Sequence, residues 1–172
     1  MKIKYEITSD LKKETKKRVA KLAKEFPKEP PDIKVFQNKN GYNGIVAQVG
    51  IPVAAVCEHH EVGIHGEVDI AYIPGEWVVG LSKLARVAIH YMNVTRKITQ
   101  EDATVDIVKF LEKTLKPKGL MVIVRAKHDC ITYRGIKAPS LTITSEVRGV
   151  FEDPEKGARQ EFLQLVGNHH KD

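Results

Sequence analysis

Two β-rich segments, two consecutive helical segments and two further β-rich segments follow one another between residues 45 and 150. That order narrows the fold more than any other feature of the chain. Strict alternation of strand and helix, which builds a parallel sheet, is absent, and strands that follow each other directly pair antiparallel. "IVAQVGIPVAAV" reads as a mostly buried strand with a break around Gly50, Ile51 and Pro52. "IHGEVDIAYI" partly alternates apolar and polar side chains, as a half-exposed strand does. "PGEW" is a turn, after which "VVG" closes a hairpin or finishes a strand. "LSKLARVAIHYM" is helical, with Leu81, Leu84, Ala85 and Ala88 at i, i+3, i+4 and i+7. A second helix follows over 102–115, and "LMVIVRAK" and "LTITSEVRGVF" are strands rich in β-branched residues.

Helices bracket this core. The first, over 9–25, carries Leu11, Val19 and Leu22 among lysines, with Ser9 and Asp10 as caps, and ends at "FPKEPPDI". The last, "PEKGARQEFLQLV", starts at Pro154. The prediction is an α+β fold: a four-stranded, largely antiparallel sheet with two consecutive helices on one face and N- and C-terminal helices. The opposite face needs a cover, such as a partner subunit. A chain of 172 residues suits a single domain, 1–172, with an N-terminal helix and linker over 1–40 and a core over 41–166.

Composition excludes some functions. No apolar run approaches the roughly 20 residues that cross a bilayer. The N-terminus lacks the apolar centre of a secretory signal, and two cysteines cannot build a disulfide framework. A cytoplasmic location fits both. The net charge of +6 favours an anionic partner. No basic stripe interleaved with aromatics points to nucleic acid.

Chemistry concentrates at "VCEHHEVGIHG" and "AKHDCITYRG". The C-x-x-H spacing lets Cys57 and His60 reach one ion from a turn, and Cys130 completes a soft donor set suited to Zn²⁺. With no third cysteine, three protein ligands and an open fourth position describe a catalytic zinc. His59 and His128 then remain as proton carriers. A structural zinc that takes one of these histidines as its fourth ligand is the competing reading.

In "GLSKLAR", Gly80 precedes a helix whose first turns hold Ser82, Lys83 and Arg86, an arrangement suited to phosphate at a helix N-terminus. Two surface cations beside a buried leucine stripe are the plainer reading. Arg134, and Arg18 in "ETKKRV", are further cations. In "TQED", Thr99 caps a helix and Glu101 and Asp102 favour its first turn. A carboxylate there could also accept the two parallel N–H groups of guanine, which adenine lacks.

The ordered blocks "CEHH", "GEVDIAYIP", "VVGLSKLAR", "QE", "HDCITYRG" and "TITSEVRGVF" resemble GTP cyclohydrolase I over roughly residues 45–166. The resemblance implies a tunnelling fold in which sheets from several subunits join into barrels, usually as a homodecamer with active sites between subunits. It implies GTP as substrate, Zn²⁺ on Cys57, His60 and Cys130, and catalytic His59 and His128. Ser82, Lys83, Arg86, Arg134 and Arg18 would bind ribose and triphosphate, and Gln100 with Glu101 would read guanine. The implied reaction opens the ring at C8 and releases formate. It then closes dihydroneopterin triphosphate, for pterin, folate or deazaguanine biosynthesis. Departures gather at Glu61 and Gly63, where the family has apolar and proline residues, at His65, an added histidine in the same segment, and at Lys16, where the family has proline. Two other readings stay open: a zinc hydrolase that opens a purine ring without forming a pterin, and a non-enzymatic zinc-containing assembly or binding module.

Overall fold

The structure, a computed structural model, describes residues 28–169 together with Lys13, Glu14, Lys16, Lys17, Arg18, Ala20, Lys21, Lys24 and Phe26. The chain divides into two compact units, Met1–Pro30 and Pro31–Asp172. In the first, the described residues from Lys13 to Lys24 are helical. The expected stripe of Leu11, Val19 and Leu22 and the caps Ser9 and Asp10 lie outside the described residues.

In the second unit, β2 (Val46–Cys57) and β3 (Gly63–Ile73) form a long hairpin, and β6 (Gly119–His128) and β7 (Thr142–Gly149) a second one. The two hairpins join antiparallel through β3 and β6. A fifth strand, β5 (Lys97–Ile98), runs parallel to the end of β2, so the sheet has five strands in the order β5-β2-β3-β6-β7 rather than four. "VVG" does not pair with the strand before it. β4 (Trp77–Val79) instead joins β1 (Val35–Gln37) in a separate two-stranded ribbon.

Two helices cover one face, α1 (Leu81–Tyr91) and α2 (Gln100–Leu115). The buried stripe of α1 is Leu84, Val87, Ala88 and Tyr91, while Leu81 is 60% exposed, so the stripe is turned from the expected one. These side chains pack with Ile107, Val108, Leu111 and Leu115 of α2 over Val68, Ile70, Val122 and Val124 of the sheet. A short helix, α3 (Asp129–Thr132), follows β6 directly.

The opposite face is covered in part by the chain itself. Phe151, Phe162 and Val166 pack on Ala71, Ile73, Met121 and Ile123. The last helix does not start at Pro154. Residues Pro154–Lys156 form a 3-10 turn, Gly157 turns left-handed at φ 69, and α4 runs over Ala158–His169. No helix among the described residues is long and apolar enough to cross a membrane.

The break expected near Gly50 is a β-bulge inside one continuous strand, with a register shift between Gln48 and Ile51. Its effect follows from the two-residue period of a strand: one extra residue moves every later side chain to the other face. Ala47 and Val49 pack on the α4 side, whereas Ile51, Val53, Ala55 and Cys57 belong to the core beneath α1 and α2. Gly50 supplies the left-handed backbone, φ 66, and its N–H donates to Asp69 Oδ1 at 2.8 Å. Asp69 is fully buried and ion-paired with Arg125. Pro52 sits beyond the bulge, in a part of β2 that has no β5 residue paired beside it among the described residues.

Gly50→Ala should therefore cost about 1–2 kcal/mol, the penalty for a side chain in left-handed backbone. Gly167→Ala, in α4 with no described atom beyond its own stretch of helix within 4 Å of the new Cβ, should gain roughly 0.5–1 kcal/mol. Urea unfolding of the two variants checks the opposite signs.

Candidate functional site

Cys57 ends β2, so Glu58–Val62 is the loop of the β2–β3 hairpin. Cys57 closes it twice, donating its N–H to the Val62 carbonyl at 2.8 Å and accepting the Glu61 N–H at 2.8 Å. Glu61 takes the left-handed conformation, φ 55, and its carboxylate meets Lys97 of β5. That lysine holds the Glu61 carboxyl below its usual range. The tight turn brings His60 back over the strand end, with Nδ1 3.6 Å from Cys57 Sγ.

Cys130 arrives from the other hairpin by strand register. Ala55, Ile64 and His128 lie in one row across β2, β3 and β6. Cys57 stands two residues beyond Ala55 and Cys130 two beyond His128, so both thiols flank the same end of β3. The donor atoms of Cys57, His60 and Cys130 all lie within 4.8 Å of one another. Metal–sulfur bonds of about 2.3 Å and metal–nitrogen bonds of 2.0–2.1 Å in a tetrahedron place donors about 3.5–3.8 Å apart. The Cys57–His60 pair already has that spacing. Burial pushes the Cys130 thiol above its usual pKa, and the neighbouring Cys57 sulfur adds to the effect. A divalent cation reverses both effects, because it favours thiolate. The donor set fits a metal of nitrogen and sulfur chemistry.

Two histidines flank the cluster. His59 is exposed, its ring edge-on to that of His60 at 6.1 Å. His128, on the helix-covered face of β6, is half-buried, with Nε2 2.8 Å from Gln100 Oε1. Burial moves the His128 imidazole below its ordinary pKa, while Glu101 and Asp129 act in the opposite direction.

Gln100 owes its position to β5. Val56 pairs with Lys97 and Cys57 with Ile98, so the next residue, Thr99, starts α2 beside the ligand-bearing strand. Thr99 caps the helix, its hydroxyl accepting the Asp102 N–H at 3.1 Å. Gln100 is 1% exposed. Its Nε2 lies 3.1 Å from the Val124 carbonyl, 3.1 Å from the Thr142 carbonyl and 3.2 Å from Thr144 Oγ1. Glu101, in contrast, is exposed and lines a depression of about 330 Å³ with Thr104, Val105, Thr144, Ser145 and Glu146.

The profile of the GTP cyclohydrolase I family matches residues 2–167. Among curated relatives, GTP cyclohydrolase 1 of Aquifex aeolicus is 44% identical over 156 residues, covering 90% of this chain and 83% of that protein. GTP cyclohydrolase 1 of Sulfurihydrogenibium sp. is 38% identical over 92% of this chain and 84% of its own length. That of Streptococcus mutans is 41% identical over 91% and 82%. The chain belongs to the GTP cyclohydrolase I family.

Of the residues that the sequence singles out, the structure brings some together and leaves others apart. Cys57, His60, Cys130, His59, His128 and Gln100 gather at one end of the sheet. Arg134 is exposed and its Nη1 approaches the His60 carbonyl at 3.5 Å. Ser82 and Arg86 are exposed and Lys83 half-buried on the first turns of α1, whose N-terminus has no side-chain cap and no acidic residue. Among the described residues, none of these three bonds to the cluster. Arg18 belongs to the N-terminal unit, where it faces Glu14 at 3.5 Å. His65, the added histidine, lies 3.4 Å from Asp129.

Sequence reasoning missed the groups that support the site. Lys97 steadies the ligand loop and Thr104 and Thr144 surround Gln100. The i, i+4 spacing of Gln100 and Thr104 was the one local signal available.

Cys57→Ser and Cys130→Ser should each lose most bound metal while keeping the circular dichroism of the native chain. His59→Ala should keep its metal. Elemental analysis of the purified variants checks this.

Proposed function

We propose that the protein hydrolyses GTP to 7,8-dihydroneopterin triphosphate and formate, with a zinc ion held by Cys57, His60 and Cys130. The observation that carries the proposal is the convergence of that donor set with His59 and His128 at one end of the sheet, in a chain of this family. A zinc ion there supplies a Lewis acid and acidifies the water it binds toward neutrality.

The side chains carry the remaining work. Glu101 accepts the two parallel N–H groups of guanine, which selects guanine over adenine. Lys83, Arg86, Arg134 and Arg18 offset the triphosphate charge, and Ser82 bonds the ribose or a phosphate oxygen. His128 and His59 exchange protons with the purine nitrogens as the C8 bonds break. Two waters are consumed in opening the imidazole ring and releasing formate, and one is returned when the pterin ring closes. Half-burial lowers the His128 pKa and so favours the neutral ring, the form that can accept a proton before giving one.

We also infer a homo-oligomer, decameric as is usual in the family, with active sites between subunits. The eight-residue β7 supports it: it is an edge strand among the described residues, and an edge with Ile143 58% exposed, next to Leu141 at 51%, invites pairing with another sheet. Tyr133 and Ile136, near Arg134, are 72% and 78% exposed and extend that surface. The location proposed is the cytoplasm and the product's use is pterin, folate or deazaguanine biosynthesis.

His128→Ala should lower turnover by about 10²–10⁴ while keeping zinc. Lys83→Ala should raise KM for GTP roughly tenfold, the loss of one charge-assisted contact. The decisive assay follows formate release and pterin fluorescence together with zinc-replete protein. Formate without fluorescence would confine the chemistry to ring opening, and neither product would overturn the proposal.

A further inference from the structure

The side-chain amide of Gln100 has only one chemically sensible orientation. Val124 and Thr142 present carbonyl oxygens at 3.1 Å, and a carbonyl can only accept. The amide nitrogen must therefore face them, and the amide oxygen must face His128 at 2.8 Å. A chain of hydroxyls fixes the same polarity. Thr104 donates to the main-chain carbonyl of Gln100 at 2.8 Å, so its oxygen accepts from Thr144 at 2.7 Å. Thr144, its own hydrogen spent, is left as an acceptor for the Gln100 amide at 3.2 Å. Turning the amide over would place its oxygen against two carbonyls and a committed hydroxyl, with no donor among them.

An amide oxygen can only accept, so His128 Nε2 must carry a hydrogen. In the neutral ring that leaves Nδ1 bare. We propose that Gln100 is a positioning residue that holds His128 as its Nε2–H tautomer, making Nδ1 the nitrogen that exchanges protons with substrate. The carboxylate of Glu101, one residue on, is left to read the base by itself. Adjacent residues at the start of α2 thus divide the work: Gln100 faces inward and sets the acid–base group, while Glu101 faces the depression beside β7. Holding a catalytic histidine in the wrong tautomer costs other hydrolases orders of magnitude in turnover. The buried polar circuit around Gln100 is the kind of fully satisfied network that fixes one arrangement.

The kinetic part of this proposal rests on the reading of the site as a GTP cyclohydrolase, whereas the tautomer does not. The test is ¹⁵N magnetic resonance of histidine-labelled, zinc-loaded protein without nucleotide, with His128 assigned by difference against His128→Asn. Wild type should show His128 protonated at Nε2 and bare at Nδ1, and protonation at Nδ1 alone would overturn the proposal. Gln100→Met, matched in length and without an acceptor, should give a mixture of tautomers. Its kcat for GTP should fall about a hundredfold with KM changed less than about threefold. An unchanged tautomer with KM raised about tenfold or more would assign Gln100 to base recognition and overturn the positioning role. If Gln100→Met does not fold, judged by zinc content and melting, the wild-type spectrum still decides. If wild type turns over no GTP, the proposed function fails while the tautomer result stands.

Discussion

In β2 the side chains change faces at Gly50, where a left-handed glycine and the buried Asp69 carboxylate accommodate one extra residue. Everything assembled at the far end of the strand depends on that change. Without it Cys57 would point toward α4, away from the layer that holds His128 and Gln100. With it, Cys57 shares the helix-covered face, and the row Ala55–Ile64–His128 sets the spacing between the two thiols. The ion pair of Asp69 with Arg125 ties the bulge to β6, the strand that delivers Cys130. A charge buried in this way is costly unless satisfied, and Asp69 is satisfied by both a backbone N–H and a guanidinium.

The ligand end of the sheet is held by short local devices. The hairpin loop is locked by its two backbone bonds, and the Glu61–Lys97 pair fastens it to β5. That pair is exposed, so its contribution is to orientation more than to stability. β5 in turn starts α2 at the place where Gln100 meets His128. Cys57 and the start of α2, which carries Gln100 to His128, are thus held side by side by one short stretch of parallel pairing between Val56–Cys57 and Lys97–Ile98.

What the sequence made legible were features carried by local pattern. The C-x-x-H turn, the second cysteine at a strand end, the Thr99 cap and the two consecutive helices are all periodicity or spacing. What it concealed were features set by tertiary contact. A two-residue strand such as β5 has no period to read, and β1 shows its partner only once β4 leaves the main sheet. Leu81 satisfied a helical stripe on paper, yet the packing direction of α1 selects Val87 and Tyr91 instead. Gly157 looked like an interior residue of the last helix, although its left-handed backbone ends one turn before the helix begins. Gln100 was visible as part of a motif. Its burial was not, because that depends on two carbonyls and a threonine from strands more than 20 residues away.

Strand register gathers two thiols and one imidazole within 4.8 Å of one another, and the proposed zinc would take all three and keep a fourth position open. X-ray absorption at the zinc edge of the loaded protein addresses it most directly. Two sulfur scatterers near about 2.3 Å and two light scatterers near about 2.0–2.1 Å would agree with Cys57, Cys130, His60 and an exchangeable fourth ligand. A shell with one sulfur or none would contradict it.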